Sequence, residues 1–157
     1  MSYKRWFLGA LTLWLVTIGT AGYFFVKGQI LADQDSRTAV LLTETERDQI
    51  LAEMRRFLKA VHGVLEGIVA QDLTHAEGSA RAAGMAMSVD VNPIIMAKLP
   101  LSFKAMGMSV HREFDAIADG IHSGESGEQV LKRLSDLTGR CVACHELYRF
   151  STRKWSS

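Results

Sequence analysis

The chain is poor in the residues that staple, kink or dissolve a fold. Its only two cysteines lie three positions apart, which excludes a disulfide framework and leaves a local motif as the question. Two prolines and 13 glycines, set against 48% apolar residues, exclude disorder and count against a turn-rich all-β fold. Charge of one sign is missing too: 18 Lys and Arg face 17 Asp and Glu. A nucleic-acid partner is therefore not expected, because phosphate neutralisation needs a basic surplus. At 157 residues the chain holds one domain, or one domain and an anchor.

Charge is absent altogether from Trp6 to Val26, a run of 21 residues. At about 1.5 Å per residue such a helix reaches across a ~30 Å hydrocarbon layer. Tyr3, Trp6 and Phe7 mark one end and Tyr23, Phe24 and Phe25 the other, where amphipathic rings favour the interface. Lys4 and Arg5 precede the run and a single Lys27 follows it. That asymmetry predicts a cytoplasmic N-terminus and an exported remainder with a net charge of −2. A cleaved signal peptide would carry a shorter apolar core. Gly19-Thr20-Ala21 offers a cleavage site, but the apolar run continues past it to Val26, so residues 1–27 read as an uncleaved anchor. Residues 28–43 are mixed and polar, the composition of a linker.

From Glu44 onward the apolar period is helical. Thr43 to Glu46 spells a capping box for a first helix with Ile50, Leu51, Met54, Phe57, Leu58, Val61, Leu65, Ile68 and Val69 on its stripe. Thr74 to Glu77 spells a second box, before a small-residue helix carrying Ala76, Ala80, Ala83 and Met87. Asn92-Pro93 and Pro100 frame an irregular connection. A third helix carries Phe103 to Ile121, Gly124 to Gly127 breaks it, and a fourth runs on to Tyr148. Four one-striped helices bury their stripes best as an antiparallel bundle, so residues 44–157 are expected to form an all-α domain.

The chemistry lies on the fourth helix, at Cys141-Val142-Ala143-Cys144-His145. Thiols at i and i+3 share a helix face and can add to the two vinyl groups of a haem, while the next residue offers an imidazole to iron. A thioredoxin-like pair would need a βαβ setting, and a zinc site more thiolate or imidazole ligands; neither is present in the pattern. Cys141 and Cys144 are thus read as covalent haem c attachments and His145 as the proximal iron ligand. Such attachment takes place outside the cytoplasm, as the anchor also requires.

The motif continues Glu146-Leu147-Tyr148-Arg149 and closes a four-helix chain, and in this it resembles the cytochrome c′ family. The resemblance covers roughly residues 44–153. It implies an exported bacterial haem protein, here on the inner membrane and facing the periplasm, with a redox partner protein and room for a homodimer. It also implies an iron that is either five-coordinate and open to NO or CO, or six-coordinate through a Met of the first helix. Arg47 to Met54 resembles the family's Arg-x-x-x-Leu/Met-x-x-Met segment, which places Leu51 over the iron and Arg47 near a propionate. The alternative register makes Met54 the sixth ligand, consistent with a helix start lying beside the fourth helix's end. Arg149 is a further candidate propionate contact.

Other histidines and methionines are weaker signals. His62 lies some ten residues beyond the level of His145 and reads as a hydrogen-bonded core residue; His75 and His122 read as surface groups. His111 falls level with the motif and reads first as a solvated or capping histidine, with propionate contact or ligation as the alternative. Met85, Met87, Met96, Met106 and Met108 read as fillers of irregular gaps. No catalytic constellation competes, so no enzyme is expected. The leading expectation is a membrane-tethered monohaem cytochrome in electron transfer; the alternative is a five-coordinate haem protein for gas binding.

Overall fold

The computed structural model describes residues 2–31, 36–88 and 92–152. The protein is largely helical. Its elements run α1 (Ser2–Lys27), β1 (Ile30–Leu31), β2 (Thr38–Leu41), α2 (Glu44–Val69), α3 (Leu73–Arg81), a 3-10 turn at Met85–Ser88, α4 (Pro93–Lys98), α5 (Leu101–His122), α6 (Gly127–Leu147) and β3 (Tyr148–Ser151). α1 is long and apolar enough to cross a membrane, and every residue from Tyr3 to Lys27 is exposed.

Local chemistry sets the helix ends. Thr43 caps α2 as its spelling predicts: the Glu46 N–H donates to Thr43 Oγ1 at 3.3 Å and the Thr43 N–H to Glu46 Oε2 at 2.9 Å. The cap of α3 is Asp72 rather than Thr74, its carboxylate accepting from the His75 N–H at 2.9 Å. A carboxylate two positions earlier is as good a cap as a hydroxyl, and here it closes the turn tightly. The expected irregular connection contains α4, because Asn92 accepts from the Ile94 N–H and Pro93 sits at the first helical position. Ser126 and Gln129 form a capping box at the start of α6 as well.

The stripes of α2, α3, α5 and α6 meet in one core, centred on the fully buried Val64, Phe114, Ile117, Val130 and Leu137. Phe57 stacks on Phe114 with centroids 5.7 Å apart, joining α2 to α5. α2 and α3 approach so closely that a Cβ at Gly67 would lie 2.6 Å from the Ala76 nitrogen. The start of α6 lies at the end of α2, where a Cβ on Gly127 would touch Ile68 at 3.3 Å. The stripe on α2 is broader than its buried part, since Leu58 is 70% exposed and Val69 84%.

A second cluster forms at the other end of α6. Val40, Leu42, Ile50, Ile95, Leu99 and Phe103 are its buried members, with Met54, Met96, Cys144, Tyr148 and Phe150 packed on it. Here the structure departs from the expected linker. β2 lies inside the domain, with Ala39 and Val40 both 0% exposed, paired antiparallel to β1 and parallel to β3. α6 consequently ends at Leu147 and the chain turns extended at Tyr148. Alternation then points Tyr148 and Phe150 to one side, edge-on to the Phe103 ring at 5.2 and 5.9 Å.

The end of α1 packs on this end of the domain. Gly28 follows α1 at φ +67°, donates back to the Phe24 carbonyl at 2.8 Å, and lies against the backbone of Lys98 and Pro100. The Gln29 N–H donates to the Lys98 carbonyl at 2.9 Å and the Leu41 N–H to the Gln29 carbonyl at 2.9 Å. Lys104, only 9% exposed, places its ammonium 3.4 Å from the Phe25 carbonyl and 4.1 Å above the Phe25 ring.

Candidate functional site

Val130, Leu134 and Leu137 hold one face of α6 in the core, and helical periodicity carries the same face on to Cys141 and Cys144. Both thiols are free and half-buried. Cys141 packs against the first core cluster and Cys144 against the second, so the pair straddles the seam between them. Burial pushes the Cys141 thiol above its ordinary pKa; burial, and then the neighbouring Cys141, push Cys144 up as well. Neither is the low-pKa thiolate that a thiol–disulfide oxidoreductase would use as a nucleophile.

His145 follows on the same turn with its ring exposed, and its carbonyl accepts from Arg37 Nη1 at 3.4 Å. The five histidines divide clearly. His62 lies 3.8 Å from Glu66, His75 3.6 Å from Glu66, His111 3.2 Å from Glu53 and His122 3.3 Å from Glu77. Among the described residues, His145 alone has no carboxylate within 4 Å. Two thiols on one face and an uncommitted imidazole beside them fit covalent haem with one axial ligand. Zinc fits less well, since the described residues gather no group of three or more His, Cys, Asp or Glu.

Across the seam, Met54 is half-buried and packs on the same cluster as Cys144 and Tyr148. Leu51 is half-buried one turn earlier on α2 but is not part of that cluster. Arg47 forks onto Asp48 Oδ1 at 3.0 and 2.8 Å, an exposed pair at the first turn of α2. Arg149 lies in β3 opposite Ala39, half-buried. The structure thus brings Met54 to the neighbourhood of the motif and leaves Arg47 beside its neighbouring acid.

Two histidines depart from expectation. His62 faces solvent with a side chain 75% exposed, because its side of α2 has no covering helix. His111, expected mainly at the surface, is 3% exposed. Its Nδ1 lies 2.9 Å from the Ala83 carbonyl and 3.1 Å from that of Gly84, its Nε2 3.2 Å from Glu53, and Phe57 meets it edge-on at 4.8 Å. Burial pulls the His111 pKa down, but Glu53 and the two carbonyls outweigh it, so the net direction is up. A signal was available: Glu53 is an acid on the apolar side of α2, and His111 precedes Phe114 by three on α5.

No protein-family model, no curated protein and no solved structure matches the chain.

Proposed function

We propose that this protein is a membrane-tethered monohaem c-type cytochrome acting in electron transfer, a relative in kind of cytochrome c′. In this reading α2, α3, α5 and α6 form the antiparallel haem-carrying bundle, α1 spans the bacterial inner membrane, and the domain faces the periplasm. The observation that carries it is Cys141-x-x-Cys144-His145 on one turn of α6, its thiols free at the seam of two apolar clusters and its imidazole uncommitted.

The chain's residues divide the work. Cys141 and Cys144 would hold the macrocycle through thioether bonds, and His145 would supply the proximal nitrogen. A bound haem supplies a one-electron carrier whose potential follows its axial ligands and surroundings. Met54, on the cluster that Cys144 shares, is the residue placed to offer a thioether to a bound haem, and a thioether there would raise its potential. The edge-on rings of Phe103, Tyr148 and Phe150 supply an apolar wall beside the motif. If Leu51 instead faced a bound haem, it would offer no ligand atom, and gas binding would replace electron transfer.

The optical spectrum tests the choice. A low-spin ferrous α-band with a weak ferric band near ~695 nm supports thioether ligation and electron transfer. A high-spin spectrum with ready CO binding supports the five-coordinate reading.

A further inference from the structure

We propose that α1 mounts the domain rigidly with the haem-attachment end of α6 at the membrane surface, and that the redox partner fitting this end is a protein embedded in the same bilayer. The proposal rests on the cytochrome reading above.

The placement follows from three sets of contacts. First, the anchor's last turn is fixed to the α4–α5 junction. Gly28 lies on the Lys98–Pro100 backbone, Gln29 donates to the Lys98 carbonyl, and the buried Lys104 ammonium caps Phe25. The end of α1 is therefore level with the first turn of α5. Second, the chain just after the motif is level with that same turn: the Tyr148 hydroxyl lies 2.6 Å from Ser102 Oγ, and its ring meets Phe103. His145 and Cys144 precede Tyr148 by three and four residues, so they stand about 4.5–6 Å above it along the axis. Third, the sheet ties the two together sideways. Ile30, three residues beyond the anchor, pairs with Val40, which pairs with Phe150, an offset of about 10 Å.

The opposite end of the domain is formed by the turns between α2 and α3 and between α5 and α6. The 21 residues of α6 set it about 30 Å from the motif end. A carrier arriving from the aqueous side meets those turns first. A partner confined to the membrane plane comes alongside the motif directly. Val142 and Leu147, 57% and 53% exposed, flank His145 and supply the apolar surface that a protein interface places at its centre. Ile94 and Leu101, also exposed, lie at the same end of the domain.

Two measurements on the full-length, haem-loaded chain test this. With Cys141 and Cys144 consumed by haem, a nitroxide on Glu146→Cys or on Ser123→Cys reports one end of the domain each, in vesicles containing nickel-chelating headgroups. Nickel should relax the label at position 146 at least about tenfold more than that at 123, given their ~30 Å separation. Equal relaxation, or stronger relaxation at 123, overturns the mount. The same labels in a Cys141→Ser, Cys144→Ser chain, where the introduced cysteine is the only thiol, separate the two readings. A haem-free chain that keeps the difference leaves the mount standing even if the cytochrome reading fails.

For the partner, haem reduction is followed in respiring membranes of the host. About twenty flexible residues inserted between Lys27 and Gly28, or Leu147→Glu, should each slow it by on the order of tenfold. Reduction by methyl viologen in solution should be unchanged by either. An insertion without effect overturns the proposal in favour of a soluble partner. An insertion effect without a Leu147→Glu effect overturns it in favour of a small lipid-soluble carrier.

Discussion

Val40→Ala asks whether residues 38–41 belong to the domain or merely connect it to α1. Val40 has no exposed surface, pairs with strands on both sides and belongs to the cluster on which Cys144 and Met54 pack. Truncation removes two methyl-sized groups, about 1.6 kcal/mol of transfer free energy at ~0.8 each, and the cavity left behind raises this to about 2–3 kcal/mol. For a domain of roughly 110–130 residues each kcal/mol lowers Tm by about 4 °C, so a drop of about 10 °C is expected. The assay is thermal unfolding of the full-length protein in detergent, followed by circular dichroism at 222 nm. Leu58→Ala, at a position 70% exposed, is the control and should cost under about 0.5 kcal/mol. If Val40→Ala shifts Tm no more than Leu58→Ala does, the strand is a linker after all and the second cluster is wrongly drawn.

Three further outcomes follow from particular contacts. Lys98 Nζ lies 2.6 and 2.8 Å from the two oxygens of Glu46, and this cation, with the Thr43 backbone, holds the carboxyl below its ordinary value of 4.5. A lowered carboxyl stabilises the fold above that ordinary value, and the contribution is lost as pH falls through the lowered one. Glu46→Gln keeps the cap but removes the charge; it should cost about 1 kcal/mol at pH 7, and the gap to wild type should close below pH 4.5. A gap that is constant from pH 7 to 3 would contradict this. Gly28→Val places a side chain at φ +67°, with its Cβ 2.6 Å from the Lys98 carbonyl oxygen, so α1 should undock and limited proteolysis near residues 28–31 should accelerate. Unchanged cleavage would mean the mount is not held there. Met54→Ala should convert the iron to high spin, open it to CO and lower the potential by on the order of 100 mV. A wild type that binds CO readily, with the variant unchanged, would leave Met54 as packing only.

Much of the helical layout was legible in the sequence because an amphipathic helix advertises itself within its own residues. The Thr43–Glu46 box, the α5 stripe and the break before α6 depend only on neighbours three or four positions apart. β2 was not legible. Thr38 to Leu41 is four residues long, and what makes it a strand is a partner more than 100 positions away, at Tyr148 to Ser151. The same long-range pairing ends α6 earlier than its own helical period suggests. His111 was misplaced for a related reason: its stripe position was visible, but Glu53 and the Ala83 and Gly84 carbonyls come to it from two other segments. The exposure of His62 likewise depends on which side of α2 its neighbours leave open. Of the Cys141–His145 motif, what the structure bears on is placement: both thiols lie half-buried on one face of α6, where helical periodicity puts positions i and i+3.

The most direct test of the central claim is intact-mass spectrometry of the full-length protein produced in a host with working haem attachment, paired with its pyridine haemochrome spectrum. One haem is expected on the chain, with two thioether bonds, and no haem on a Cys141→Ala, Cys144→Ala chain. A wild-type chain of apoprotein mass, with both thiols still free to alkylate, would contradict the assignment of Cys141, Cys144 and His145 to haem.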